Sequence, residues 1–342
     1  MADTNATAPT TVLHADALAA YRSYDAAIFA PVVYPLSFAL LLQVLVYANI
    51  LKHWRTGWPL LPACRSHSAK AALDVPPPRP NFLAVEAPTL LIMLSETIFG
   101  LCCIIQCATN FAQRHYVGGV AACELQGFYA AYYVFSSTAL CAIAALAGAH
   151  VIRAVSHDGS VPPSSRSTAK AFVAAGILAH VVAALVAALP LIMGDKDSGF
   201  TYMFAVDYCQ HNVESTGYAT LFLVWWLASF TVVVLAACRV ARSSAEDRGA
   251  AAGATRMMLG IVAYFAFAWM PSVMLPLFHF GIGGAVASSP VGGIYGVQAI
   301  FLHTNQLAVP LLFGWRLREH MNGALAVQTR PDVASLSAAE QA

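Results

Sequence analysis

Charged residues are scarce in this chain of 342 residues: Asp, Glu, Lys and Arg together make up 10% of it. A soluble globular domain carries about 25% charged residues. Hydrophobic residues make up 59% of the chain. A folded chain of this composition could not cover itself with a surface that water solvates. The scarcity of charge therefore excludes an ordinary soluble domain and predicts an integral membrane protein.

Several short patterns are also missing. Eight cysteines are present, but none has the Cys-x-x-Cys spacing of metal and redox sites. The net charge is +1, and no block of six like charges suggests a nucleic-acid-binding arm. Because no hydrolase or metal motif is found either, we do not expect an enzyme. The first 25 residues lack the basic start and apolar centre of a signal peptide, so translocation is expected to depend on the first membrane helix.

Seven apolar runs are long enough to cross a membrane as helices, which takes about 20 residues. Backbone groups in lipid need partners within the chain, so each run is predicted to be helical. The expected fold is an all-α membrane protein, a bundle of seven transmembrane helices. The predicted spans are 26–52, 84–111, 120–153, 168–193, 213–242, 250–282 and 291–315.

The basic residues are distributed unevenly between the loops. With the N-terminus outside the cell, fifteen of the 18 Lys and Arg residues fall on the inner side and three on the outer side. Cytoplasmic loops carry such an excess of Lys and Arg, so the distribution favours this orientation. The expected location is the plasma membrane. The three outer residues are Arg22, Arg114 and Lys196.

This orientation divides the chain into three parts. Residues 1–25 form an extracellular segment, 26–316 the bundle, and 317–342 a cytoplasmic tail that begins with a short amphipathic helix. Asn5 belongs to an Asn-Ala-Thr sequon and would face the glycosylation machinery. Such triplets are common by chance, so its use stays open.

Two spans carry a specific pattern. The sixth contains Phe265, Trp269 and Pro271 in a Phe-x-x-x-Trp-x-Pro arrangement, and the third opens with Cys-Glu-Leu-Gln-Gly-Phe at 123–128. Both resemble the corresponding helices of animal opsins, which belong to the rhodopsin-like (class A) G-protein-coupled receptors. Weaker similarity covers the fourth span and the seventh, which contains Pro310, so the resemblance extends over about two-thirds of the chain.

The prolines have a physical consequence. Pro271 lacks a backbone donor, so it is expected to kink the sixth helix, open a cavity and supply a hinge. Pro310 is the corresponding hinge of the seventh helix. Trp269 would lie one turn inward, at the floor of the cavity, and the resemblance implies that it moves on activation. Ordinary packing of a Pro-kinked helix is the alternative.

The resemblance also implies a disulfide between Cys123 and Cys209. Both residues fall on the predicted outer side, an oxidising compartment in which disulfides form and persist. The bond would hold the second outer loop across the mouth of a ligand pocket. Two free outer thiols are the alternative.

Lysine is absent from the cores of all seven spans. Opsins hold retinal through a lysine seven residues before the proline of the seventh helix, and that position is His303 here. Without a buried amine no Schiff base can form. The position of the opsin counterion carboxylate is Gln126, which is neutral. We therefore expect no covalent cofactor, while non-covalent binding of an apolar ligand stays open.

The resemblance implies a small-molecule site among helices three, five, six and seven. His303 is either a ligand contact there or a neutral imidazole bonded to a neighbouring helix. The residues carried over to the ligand site are Gln126, Ala130, Val134, Phe265, Trp269, Ser272 and His303.

One carboxylate, Glu96, falls deep in the second span. An intramembrane carboxylate is costly and therefore indicates a functional site. The resemblance places Ser137 and Asn305 beside it, at the sodium site of the family. A Na⁺ or a proton would relieve the cost of burial. The alternative is a protonated acid hydrogen-bonded between helices.

The signalling motifs of the family are altered. The acidic-Arg-aromatic triplet is replaced by Ala-Gly-Ala at 147–149, and Asn-Pro-x-x-Tyr by Val-Pro-Leu-Leu-Phe at 309–313. These changes put into doubt coupling to a heterotrimeric G protein or arrestin, the partners that the resemblance implies. The leading hypothesis is a receptor. The alternatives are a non-signalling binder of a retinoid or other apolar ligand, and an ion or solute transporter, which usually carries several intramembrane charges.

Overall fold

The computed structural model describes the central part of most of the predicted spans. Four predicted site residues, Asn5, Pro271, Ser272 and Asn305, and the tail helix after residue 316 lie outside the described residues. The described residues are 12–14, 36–48, 81–113, 117–158, 166–193, 200–203, 208–211, 216–245, 252–269, 303 and 306–311.

Helices within the described residues fall inside, or within a few residues of, all seven predicted spans. Helices α2 to α5 are each long and apolar enough to cross a membrane. The helices are α1 Leu36–Ala48, α2 Asn81–Gln113, α3 Gly119–Asp158, α4 Arg166–Met193, α5 Thr216–Ala241, α6 Ala252–Tyr264 and the short α7 at 306–311.

Helix α3 lies at the centre and contacts α2, α4, α5 and α6. Its C-terminal half contains several buried alanines, among them Ala144, Ala145 and Ala147. Small side chains let neighbouring helices approach closely in a membrane, where packing rather than the hydrophobic effect holds helices together. Helix α4 instead exposes large apolar side chains such as Ile177 and Leu185, as expected of a helix that faces lipid.

The sixth helix changes its hydrogen-bonding pattern shortly before the predicted kink. After Tyr264, α6 continues as a π-helical turn over Phe265–Trp269. Such turns widen the backbone locally and occur frequently at functional sites. The two aromatic residues of the family pattern therefore lie in a locally widened segment.

A three-stranded antiparallel sheet was not part of the predicted all-α fold. It pairs β1 with β2, and β2 with β3, so a strand near the N-terminus joins a hairpin that follows α4. The sheet contacts α3 through β2 and β3. Its strands are β1 Val12–His14, β2 Phe200–Met203 and β3 Tyr208–His211.

Phe200 of β2 packs directly on α3. It lies over Gly127, where a Cβ atom would stand 2.2 Å from the Cδ1 atom of the Phe200 ring. The ring is buried and belongs to a cluster that includes Ala131 and Phe135 of the same helix. A glycine is therefore needed at 127 for the sheet to lie this close to α3.

Candidate functional site

A buried carboxylate lies where four helices meet. The Tyr133 hydroxyl donates a hydrogen bond to Oε1 of Glu96 at 2.9 Å, and the Tyr264 hydroxyl donates to the same oxygen at 2.5 Å. The Nε2 of Gln306 donates to Oε2. Glu96 is fully buried. One side chain of α2 thus binds α3, α6 and α7 at once.

The neutral donors around Glu96 indicate whether the site fits a bound Na⁺ or a hydrogen-bonded carboxyl group. Gln306 turns its amide nitrogen to the carboxylate, and its Oε1 faces Gly100, where a Cβ atom would lie only 2.9 Å away. That oxygen has no hydrogen-bond partner among the described residues. A hard cation needs oxygen ligands, so it would require the opposite orientation of this amide. As placed, the residues fit a hydrogen-bonded carboxyl group better than Na⁺.

A group of serines adjoins the carboxylate. Ser95 and Ser136 are hydrogen-bonded through their hydroxyls, and the Ser137 hydroxyl donates to Ser95 at 3.4 Å. The predicted neighbour Ser137 is thus bonded to the residue that precedes Glu96. The partners that bond Glu96 directly, on α3, α6 and α7, were not predicted as its ligands.

The sequence carried only a weak signal for those partners. Tyr133 lies one turn before Ser137 on α3, and Tyr264 directly precedes the family pattern in α6. In the sequence alone, each is equally typical of a pocket wall or of ordinary packing, because aromatic residues fill membrane bundles routinely. Gln306 lies in the seventh span, one turn after His303, and a single sequence does not give the rotation of that helix.

Aromatic contacts connect the carboxylate to Trp269. Phe99 stacks on Tyr133 with ring centroids 4.3 Å apart, and the Tyr133 ring lies 5.2 Å from the ring of Trp269. All three side chains are buried. A displacement of Trp269 would therefore reach Tyr133, one of the donors to Glu96, by direct contact.

Phe265 is the first residue of the π-helical turn, and Trp269 is the last. Its ring packs 5.9 Å from Trp226 and 6.0 Å from Phe230, which are themselves stacked on α5. The turn therefore connects the Glu96 cluster, through Tyr264, to the aromatic residues of α5.

His303 is buried against α2. Its Nε2 lies 3.1 Å from Sγ of Cys103, and its ring centroid lies 5.6 Å from that of Phe99. The residue at the opsin lysine position thus contacts a neighbouring helix. Its role as a ligand contact stays a prediction.

The N-terminal end of α3 is joined to strand β3 at two points. The predicted disulfide between Cys123 and Cys209 is confirmed, with Cα atoms 5.2 Å apart. In addition, the backbone N–H of Cys209 donates to Oε1 of buried Gln126 at 2.7 Å. The side chain at the opsin counterion position therefore anchors the three-stranded sheet.

The remaining predicted ligand residues lie along one side of α3. Gln126, Ala130 and Val134 follow each other at intervals of four residues, which places them on one helix face. Ala130 is buried and Val134 is half-buried. Within the described ranges, no group of three or more His, Cys, Asp and Glu side chains is placed to hold a metal ion.

The comparison with known proteins agrees with this architecture. No family model matches the sequence, and no curated protein matches it. Among solved structures, squid rhodopsin aligns with a TM-score of 0.58 and 12% sequence identity, over 86% of this chain and 79% of that chain. At this identity the likeness shows the fold alone. The predicted seven-transmembrane helix bundle is confirmed.

Proposed function

We propose that this chain is an opsin-like G-protein-coupled receptor of the plasma membrane, with its N-terminus outside. It binds a small or apolar ligand without a covalent cofactor and signals by rearranging its helices. The observation that carries this proposal is the Glu96 cluster, which joins α2, α3, α6 and α7 and contacts Trp269 through Tyr133.

The cluster is suited to a two-state bundle. A ligand shifts such an equilibrium only by its different affinity for the two states. A ligand that contacts Trp269 from the outer side would favour a state in which Tyr133 and Tyr264 release Glu96. The π-helical turn before the predicted Pro271 hinge gives α6 a place to change its backbone pattern.

The inner ends of the helices are basic. Arg153 on α3, Arg239 on α5 and Arg256 on α6 are exposed. An opening of α6 would change the spacing of these residues and so present a different surface to a heterotrimeric G protein or arrestin.

The altered inner end of α3 supports a second candidate, a binder of a retinoid or other apolar ligand that does not signal. Ala147 and Ala149 are buried where the family has charged and aromatic residues. These positions cannot form the ion pairs of the usual triplet. A transporter is less well supported, because Glu96 is bonded to neutral donors.

Basal signalling tests the receptor without a known ligand. Tyr264→Phe removes one donor to Glu96 and leaves the ring, so it should favour the released state. A typical hydrogen bond between neutral groups contributes about 0.5–1.5 kcal/mol, and we expect basal recruitment of G protein or arrestin to rise about two- to tenfold. Recruitment is measured in cells at matched surface expression.

Tyr132→Phe is the matched control. Its hydroxyl is also bonded to a neighbouring helix, at 2.6 Å from Nδ1 of His180, but away from Glu96. This variant should leave basal recruitment unchanged. The wild type, Tyr264→Phe and Trp269→Ala are tested against a broad panel of G proteins and arrestins. If none of the three proteins recruits any member of the panel, the receptor proposal fails and the non-signalling binder is favoured.

A further inference from the structure

Two thiols and an imidazole meet between α2 and α7, apart from the Glu96 cluster. The Sγ atoms of Cys103 and Cys107 lie 3.5 Å apart, and Cys103 Sγ lies 3.1 Å from Nε2 of His303. All three side chains are buried. Cys103 thus has a second thiol on one side and a base on the other.

We propose that Cys103 and Cys107 form a peroxide-responsive thiol pair, with His303 as the base that activates Cys103. A nucleophile within hydrogen-bond reach of a base is the arrangement that activates thiols in proteins. With its proton on Nδ1, the His303 ring can accept the Cys103 thiol proton at Nε2. Hydrogen peroxide is the oxidant, and it is small and uncharged.

The reaction balances as a two-electron oxidation of the thiols. His303 takes the Cys103 proton, and the thiolate attacks peroxide, so that an S–O bond forms and the O–O bond breaks. The departing hydroxide takes the proton from the imidazolium and leaves as water. The Cys107 sulfur then attacks Cys103, the S–O bond breaks, and the oxygen leaves as a second water with the Cys107 proton. The products are one disulfide and two waters.

Helix geometry makes this disulfide feasible but labile. Residues four apart on a helix have Cα atoms about 6 Å apart, within the usual disulfide range of about 4.4–6.8 Å. Their Cβ atoms lie about 5–6 Å apart, whereas a disulfide needs roughly 4 Å. The helix must therefore distort locally. Strained disulfides are reduced more easily, so the bond should be reversible by a dithiol.

Bridging would also change a contact between helices. The Cys103 sulfur has to turn towards Cys107, which takes it away from His303 and loosens the contact between α2 and α7. This inference does not depend on the receptor proposal, because it concerns the chemistry of three side chains rather than signalling.

The experiment uses the full-length protein reconstituted in lipid nanodiscs. The protein is treated with hydrogen peroxide, then unfolded and alkylated, and its cysteines are mapped by mass spectrometry. We expect the α2 peptide to lose two hydrogens and two alkylation sites, and dithiothreitol to restore both. Cys102→Ser, which removes the adjacent thiol, should leave this result unchanged. In Cys107→Ser, peroxide should stop at a sulfenic acid on Cys103, which dimedone traps.

The role of His303 is tested by rate. General bases contribute about 10²–10⁴-fold, so His303→Asn should slow the oxidation of Cys103 by about 100-fold. Cys141, a buried cysteine on α3, serves as the internal comparison in the same sample and should react slowly in both proteins. The proposal is overturned if Cys103 and Cys107 of the wild type stay alkylatable after peroxide, if Cys103 stops at sulfenic acid with Cys107 present, or if His303→Asn leaves the rate unchanged.

Discussion

At the scale of single residues, the central feature is a carboxyl group held by neutral donors from three other helices. Glu96 accepts from the hydroxyls of Tyr133 and Tyr264 and from the amide of Gln306. Removing one member of such a buried network leaves its partners without a bond and costs more than a single hydrogen bond contributes. The stability of the bundle should therefore depend on how donors and acceptors are matched at this point.

An exchange of side chains tests this matching. Glu96→Gln places an amide nitrogen where a donor already points, so we expect a loss of about 1–3 kcal/mol in stability. The double change Glu96→Gln with Gln306→Glu exchanges the carboxyl group and the amide between α2 and α7. It should recover at least half of that loss, because the pair is again complementary.

Thermal unfolding of the purified single and double variants in detergent measures the coupling. The coupling energy follows from a double-mutant cycle. Additive losses in the double variant would contradict a direct Glu96–Gln306 bond.

At the scale of elements, the three-stranded sheet depends on one close approach to α3. Gly127 leaves space for the Phe200 ring, and the Gln126 side chain and the Cys123–Cys209 disulfide attach β3 beside it. The three features lie within five consecutive positions of α3. A short helical segment therefore holds the whole sheet.

Gly127→Ala should detach that sheet in part. The new Cβ would overlap the Phe200 ring, and overpacking of this kind costs about 1–3 kcal/mol. The control is Gly217→Ala on α5, where a Cβ meets no atom within 4 Å. It should be neutral or slightly stabilising. Hydrogen exchange of the β2–β3 segment should become faster in Gly127→Ala and stay the same in Gly217→Ala; equal rates in both variants would argue against close packing at Phe200.

The sequence predicted the long elements well and the contacts between them poorly. Membrane spans could be found because bilayer thickness requires long apolar runs, and α4 matches its prediction within two residues. The sheet could not be found, because its strands have three or four residues and β1 pairs with a distant segment. The π-helical turn at Phe265–Trp269 has no local sequence signature. The donors on Tyr133, Tyr264 and Gln306 depend on the relative rotation of helices, which one sequence does not specify.

At the scale of the whole molecule, the chain shares its fold with squid rhodopsin. In the position that opsins use for lysine it has His303, bonded to α2, and at the counterion position it has Gln126, bonded to β3. Each of these side chains has a local partner. Neither side chain therefore depends on the buried ion pair that a Schiff base and its counterion would form.

We accordingly predict that retinal forms no covalent link with this chain. After incubation of the reconstituted protein with retinal and reduction with borohydride, we expect no retinyl adduct on the α7 peptide by mass spectrometry. His303→Lys supplies an amine at that position and serves as the positive control. A retinyl adduct within the bundle of the wild type would contradict the prediction of a non-covalent ligand.

The pairing of β1 with β2 has a consequence for biosynthesis. Val12 is paired with Met203, so β1 cannot complete its pairing until helices α1 to α4, which lie between the two strands in the sequence, have been synthesised. Chains emerge from the N-terminus, and their parts fold as they become available. The three-stranded sheet is thus one of the later structures to assemble, and a truncation that ends at His14 would remove strand β1 while leaving helices α1 to α7 in the chain.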